Sequence, residues 1–238
     1  MRNDSYLQEN VRARVVGTVR ELADAKAIDY ARARRSFSKR VIDIVLSLAL
    51  LILVSPFMLV VAAMIRFRDG GQVIFAQERP GVGGKLFKCY KFRTMVEDAE
   101  QKLQALLASD PVVAEEWRVY KKLRKDPRVT RLGAFLRRTS LDELPQLFNI
   151  LRGEMSIIGP RPITKGEIPD YGTTADFEIY GSVRPGVLGL WQVSGRSNTN
   201  YSRRIALDAE YARDWSLWMD LKIVLQAIPV VLFGKGAY

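Results

Sequence analysis

The sequence predicts an α/β, mostly helical, monotopic membrane protein made of a re-entrant membrane helix hairpin and a small cytoplasmic domain. Three observations predict it. Residues Ile44 to Ile65 are apolar and uncharged, a run long enough to cross a bilayer, which takes about 20 such residues. Ser55-Pro56 interrupts the run near its middle, where a proline removes a helical hydrogen bond and bends the axis. Positive charge flanks both ends, with Arg32, Arg34, Arg35, Lys39 and Arg40 before it and Arg66 and Arg68 after it. Lys and Arg favour cytoplasmic flanks, so both ends are expected on that side. A hairpin that enters one leaflet and returns reconciles the break with the charge; a straight span is the alternative. The run starts too deep in the chain, and is too long, for a signal peptide.

Composition narrows the partners. The chain has 238 residues and a net charge of +11, with an isoelectric point near 9.9. Such a balance implies an anionic partner. Beside an apolar hairpin, lipid headgroups and phosphorylated substrates lead, and no zinc-finger, RNP or homeodomain pattern supports nucleic acid. A single cysteine, Cys89, excludes an intramolecular disulfide and fits a reducing compartment. It sits in an alternating run between Lys88 and Tyr90 and reads as packing. The chain has no histidine. That excludes Ser-His or Cys-His nucleophile pairs and histidine metal sites, so any chemistry falls to carboxylates, Lys and Arg.

The elements follow in order. Residues 1–35 form a polar, basic tail of no assigned role, and 36–68 carry the membrane element. Residues 69–238 form one domain, with no internal repeat or linker. Asp69-Gly70-Gly71 turns the chain. Gln72 to Phe75 and Lys85 to Phe92 read as strands of a hairpin around Pro80-Gly81-Val82-Gly83-Gly84. Glu97 to Leu107 and Glu115 to Leu123 read as helices. Residues 126–139 are a basic stretch containing Arg128, Arg131, Arg137 and Arg138. Ser140 with Glu143 three residues on resembles a capping box that starts a helix to about Leu151. Residues 183–196 are loop-rich and 202–214 helical. Residues 217–233 are amphipathic and broken by Asp220, Lys222 and Pro229, a helix lying in the membrane interface.

Three segments invite chemical readings. The glycine-rich turn before Lys85 fails as a phosphate loop, because Leu86 follows where Ser or Thr and a helix are needed. Asp142 and Glu143 are adjacent carboxylates at a helix start, with Arg137 and Arg138 a turn upstream. That setting keeps Asp142 ionised and attracts phosphate. An ionised carboxylate beside bound phosphate can act as a nucleophile. Its neighbour can help hold Mg²⁺, which binds through one or two carboxylates plus substrate phosphates. The plainer reading is that both residues serve the helix start alone. Gly159-Pro160-Arg161-Pro162 holds an arginine in a stiff loop suited to bidentate phosphate binding, or forms a structural turn.

Taken together these segments are specific. Lys91-Phe92-Arg93-Thr94-Met95 comes first, then Arg137 to Gln146 with Ser140-Leu141-Asp142-Glu143-Leu144-Pro145 inside it. Gly153-Glu154-Met155-Ser156-Ile157-Ile158-Gly159-Pro160-Arg161-Pro162 is next. Arg184-Pro185-Gly186 to Gly195-Arg196 and the closing Gly234-Lys235-Gly236-Ala237-Tyr238 complete the set. From about residue 36 to the end the chain strongly resembles the bacterial sugar transferases, the monotopic polyprenyl-phosphate phosphoglycosyl transferases.

The resemblance implies an enzyme that moves a sugar 1-phosphate from a UDP-sugar to undecaprenyl phosphate at the cytoplasmic face of the bacterial inner membrane. UMP is released, the kinetics are ping-pong and the cofactor is Mg²⁺. Asp142 matches the family nucleophile and Glu143 its metal-binding partner. Arg137 and Arg161 match phosphate-binding positions, and Lys91 and Arg93 a motif near the active site. Ser55 and Pro56 match the break of the re-entrant helix. Larger members carry four further spans before this core, so the chain resembles the short form. The Gly189-Leu190-Trp191-Gln192-Val193-Ser194-Gly195-Arg196 run, together with Asp126-Pro127-Arg128-Val129-Thr130, resembles members that transfer galactose 1-phosphate in exopolysaccharide or O-antigen synthesis, with glucose 1-phosphate as the alternative. The expected partners are a UDP-hexose, undecaprenyl phosphate and inner-membrane lipids. A homodimer is left open and no nucleic acid is expected. Outside this class stand a non-catalytic membrane scaffold and a basic surface binder.

Overall fold

The computed structural model of the chain describes residues 30–120, 123, 125–169, 171, 173–194 and 201–232. The Gly195-Arg196 and Gly234–Tyr238 motifs and most of the tail lie outside the described residues.

A short helix, α1 (Arg32–Arg35), leads through Ser36 into α2 (Phe37–Met64). The Ser36 hydroxyl accepts from the Lys39 N–H at 3.2 Å and caps α2. The helix passes through Pro56 and ends in a π-helical turn, Ile65–Asp69, so the two arms expected from the sequence are one continuous helix. The reason lies at the Ser55-Pro56 pair. Pro56 has no N–H to offer the Ile52 carbonyl four residues back, and the Ser55 hydroxyl donates to that carbonyl instead, at 3.0 Å.

The polarity of α2 is inside out. Lys39, Asp43 and Ser47, spaced four apart and so on one face, are its buried residues together with Val61. Leu46, Leu48, Ile52, Leu53 and Leu59 are exposed. A helix that turns its charges inward and its leucines outward has its stable surroundings in hydrocarbon, because in water such a contiguous apolar face is a liability. By length and composition α2 with its π-turn is the one described helix apolar enough to cross a membrane.

α2 touches the rest of the chain along its length. Near its start, Arg40 donates to the Ile150 and Leu151 carbonyls at 2.7 and 3.0 Å. In its middle, Leu51 and Val54 pack on the buried Phe87, Leu147, Ile150 and Met155. At its end, Val61 and Ile65 share a cluster with Phe92 and Leu136.

β1 (Ile74–Pro80) and β2 (Leu86–Phe92) form an antiparallel hairpin, with Ile74 opposite Phe92 and Pro80 opposite Leu86. Gly83 and Gly84 close it at φ 63° and 74°, values that favour glycine. Then come α3 (Ala99–Ser109), α4 (Pro111–Tyr120) and α5 (Arg131–Thr139), a single 3-10 turn (Leu141–Glu143) and α6 (Gln146–Leu151). β3 (Ser156–Ile158) pairs in parallel with β4 (Gly186–Leu188), with α7 (Thr174–Gly181) between them in sequence. α8 (Leu190–Val193), α9 (Tyr201–Asp214) and α10 (Leu217–Leu232) complete the order. α10 is two-faced as expected: Trp218, Leu221, Leu225 and Ile228 are exposed, while Asp220, Ile223 and Ala227 are buried.

Four local expectations change. β1 begins at Ile74 and runs to Pro80. α4 starts at Pro111, where a proline needs no N–H partner. α5 occupies what reads in sequence as a basic stretch, since its inward residues are only Gly133 and Leu136. Ser140 precedes the 3-10 turn as its N-cap by position, but its side chain makes no cap bond, so there is no capping box; its φ of 58° ends α5 in the left-handed region. The end of the tail also has a place, for Ala33 joins Val183, Tyr211 and Ala212 in the core.

Candidate active site

Asp142 and Glu143 sit on the 3-10 turn between α5 and α6. Leu141 and Leu144 flank them and pack toward the cluster that holds the end of α2, which fixes the turn against the membrane helix. Asp142 is 8% exposed.

Three cations converge on the pair. Lys91, on β2, places its Nζ 2.6 Å from Glu143 Oε1 and 3.9 Å from Asp142 Oδ2. Arg161, just past β3, donates from Nη2 to Glu143 Oε1 at 2.9 Å. Arg137, in the last turn of α5, donates from Nε to Thr94 Oγ1 at 2.8 Å, and its charge acts on Asp142. Thr94 carries no assignment in the sequence reading; its position within Lys91–Met95 is the signal for it. Arg93 is turned elsewhere. Its guanidinium donates to the Asp69 and Gly70 carbonyls and to Glu97, so it braces the turn after α2 and does not join the carboxylates.

The two carboxylates are driven apart. Burial by itself pushes Glu143 up, yet Arg161 and Lys91 outweigh it and hold the group down at about 2. Asp142 goes the other way: burial pushes its carboxyl above the ordinary value, aided by the Glu143 charge and opposed by Lys91, Arg137 and Arg161. The helix start and nearby arginines therefore do not dominate Asp142 as its sequence setting suggests. Its carboxylate accepts no hydrogen bond from the described residues. A partly desolvated carboxylate that accepts no hydrogen bond suits attack on phosphorus better than a hydrogen-bonded one.

Among the described residues no group of three or more His, Cys, Asp or Glu side chains is placed to hold a metal by itself. Mg²⁺ does not require one, since it takes one or two carboxylates and completes its shell with water and substrate phosphates. Glu143 Oε2 fits that donor set; among the described residues it accepts only a long hydrogen bond from Arg161 Nη1, at 3.5 Å.

Cys89 is buried, and burial pushes its thiol up, which agrees with a packing role. Asn149 is a buried residue that the sequence reading passes over. Its Nδ2 donates to the Lys88 carbonyl at 2.7 Å and its Oδ1 accepts from the Tyr90 N–H at 3.0 Å. These bonds tie α6 to the strand that delivers Lys91.

The site thus holds buried carboxylates of opposed proton affinity, ringed by Lys and Arg, on a membrane-associated scaffold. The family described as "Bacterial sugar transferase" matches residues 34–234, and the chain belongs to it. It is 48% identical over 201 residues to the exopolysaccharide production protein ExoY of Sinorhizobium fredii, covering 84% of this chain and 88% of that protein. It is 48% identical over 208 residues to the undecaprenyl-phosphate galactose phosphotransferase of Salmonella typhimurium, covering 87% of this chain and 43% of that protein. Identity to the UDP-glucose:undecaprenyl-phosphate glucose-1-phosphate transferase of Escherichia coli is 39% over 206 residues, 84% of this chain and 41% of that protein. The chain thus spans less than half of the two phosphotransferases.

Proposed function

We propose that the chain transfers a hexose 1-phosphate from a UDP-sugar to undecaprenyl phosphate, releasing UMP, at the cytoplasmic face of the inner membrane in exopolysaccharide or O-antigen synthesis. The observation that carries this reading is the Asp142 carboxylate, which accepts no hydrogen bond from the described residues and lies beside the Lys91–Glu143–Arg161 cluster. We assign galactose 1-phosphate as the group moved. Relatives named for galactose are 48%, 45% and 42% identical, against 39% for those named for glucose.

Asp142 attacks the β-phosphorus of the donor. A carboxylate oxygen–phosphorus bond forms, the bond to the bridging oxygen breaks, and UMP leaves with that oxygen and its electron pair. A phosphate oxygen of the lipid acceptor then attacks the same phosphorus, and Asp142 leaves as the carboxylate. The acceptor phosphate is already anionic at neutral pH and needs no general base, which accords with a chain that lacks histidine. Lys91, Arg137 and Arg161 offset the charge of the diphosphate. Glu143 would hold Mg²⁺, which when bound supplies further neutralisation of the diphosphate and of the departing UMP.

The re-entrant placement of α2 belongs to the same proposal. Contacts with the domain at Arg40, Leu51, Val54, Val61 and Ile65 support it. In a straight span the domain, bound to α2 near its start, middle and end, would itself lie in the hydrocarbon core, which is about 30 Å thick. A bend at Pro56 with both termini on one side would leave the domain outside that core and set Asp142 at headgroup depth.

The test is UMP release from purified protein with undecaprenyl phosphate and Mg²⁺, comparing UDP-galactose with UDP-glucose. Release from UDP-galactose is expected, reduced by more than about 10³-fold in Asp142→Asn. Full activity in that variant would overturn the covalent step, and release from UDP-glucose alone would overturn the sugar assignment.

A further inference from the structure

The loop that presents Arg161 is held by donors from three other elements. The Pro160 carbonyl accepts from the Gly186 N–H at 2.8 Å. The Arg161 carbonyl takes a long contact of 3.5 Å from Arg204 Nη2. The Pro162 carbonyl accepts from Arg79 Nη1. Pro160 and Pro162 have no N–H, so the loop cannot satisfy itself, and carbonyls in such a buried segment require outside donors.

Arg79 is the unusual member. It stands near the end of β1, and its Nη2 donates to Gln77 Oε1 at 2.8 Å. Its Nε is buried and has no partner among the described residues. Among the described residues no carboxylate forms an ion pair with it within 4.0 Å. An arginine desolvated without a counter-charge is costly, and this one places its planar fork across one neighbouring side chain and the carbonyl next to Arg161. The hairpin that carries it also delivers Lys91, from the opposite strand, to the same Glu143 that Arg161 grips.

We propose that Arg79 is a positioning residue for donor binding: by holding the Pro162 carbonyl it aims the Arg161 guanidinium at the diphosphate of the UDP-sugar. This rests on the donor assigned above. Arg79 does not touch the diphosphate itself, so its effect passes through Arg161 and vanishes where Arg161 is absent.

A double-mutant cycle tests this, read as the affinity of the full-length protein for UDP with Mg²⁺ by titration calorimetry. Arg79→Met and Arg161→Met are each expected to weaken UDP by about tenfold or more. The double variant is expected to match Arg161→Met alone, because coupled residues are not additive. Arg79→Lys keeps the charge without the two-pronged fork and is expected to stay as weak as Arg79→Met within about threefold. Gln77→Ala, which frees one prong and leaves the charge, gives a second, milder variant and is expected to weaken UDP by about threefold. Losses that multiply in the double variant, full recovery in Arg79→Lys, or unchanged affinity in both Arg79→Met and Gln77→Ala would each overturn the proposal. Wild-type protein that binds no UDP would instead overturn the donor assignment and this proposal with it.

Discussion

Asp43 of the membrane helix accepts a hydrogen bond from the Ser156 hydroxyl at 3.0 Å, across a buried junction 113 residues apart in sequence. The same Oδ1 accepts from the Ile157 N–H at 3.0 Å. One carboxylate thus clips β3, which leads directly into Gly159-Pro160-Arg161, onto α2. Asp43→Leu would leave a buried hydroxyl and N–H unpaired, at a cost of roughly 1–3 kcal/mol each. Asp43→Asn keeps an acceptor and is expected to cost less. The check is thermal unfolding in lipid nanodiscs, where the Tm of Asp43→Leu should fall below that of Asp43→Asn. Equal Tm values would mean that the clip does not hold the junction.

Asp142 predicts a pH dependence of defined sign. The attacking form is the carboxylate, and burial pushes its pKa above the ordinary value. The rate of UMP release is therefore expected to fall as pH drops through that raised value. Lys91 is the foremost cation holding it down, so Lys91→Met moves the acid limb to higher pH, whatever it does to the maximum rate. An acid limb that stays in place in Lys91→Met would detach Lys91 from the nucleophile.

Much of this site is legible in the sequence because its residues come in short contiguous motifs. Asp142 and Glu143 are neighbours, and Arg137 lies one turn before them. The apolar run and its Ser55-Pro56 pair are equally local. What escapes is set by distance. Nothing near Arg79 in sequence indicates that it meets Pro162, 83 residues away. The inward stripe of Lys39, Asp43 and Ser47 has helical spacing in plain view, yet Lys39 reads as one of the flanking cations, and Asp43 and Ser47 are overshadowed by the apolar run they border or interrupt. β3 and β4 are three residues each, too short for alternation to register. α5 is hidden because one of its two buried residues is Gly133, which no hydrophobic pattern marks.

Gly133 yields a prediction for that reason. A Cβ there would collide with the Thr94 carbonyl, and the Thr94 hydroxyl is what Arg137 Nε binds. Gly133→Ala must push α5 away from Thr94 and displace Arg137. The affinity for UDP is expected to fall by about tenfold or more, with Thr94→Val producing part of that loss through the hydrogen bond alone. Unchanged UDP affinity in Gly133→Ala would show that Arg137 does not depend on this contact.

Glu143 and Asp208 pull the stability of the fold in opposite directions with pH. Glu143 is held at about 2 in the fold against an ordinary 4.5. Its ionised form is stabilising above the ordinary value, and that contribution is lost as pH falls from about 4.5 toward 2. Asp208 is raised to about 7 from 3.8, chiefly by burial, with the Arg204 charge and the Tyr171 hydroxyl opposing. It is a carboxyl that the fold prefers neutral, so its favourable contribution is complete below about 3.8 and lost as pH rises through 7. Asp208→Asn keeps the shape and removes the titration. In nanodiscs the wild type is expected to lose Tm between pH 5 and 8, and Asp208→Asn to lose distinctly less over the same interval. Parallel Tm curves for the two proteins across that interval would show that Asp208 does not titrate there.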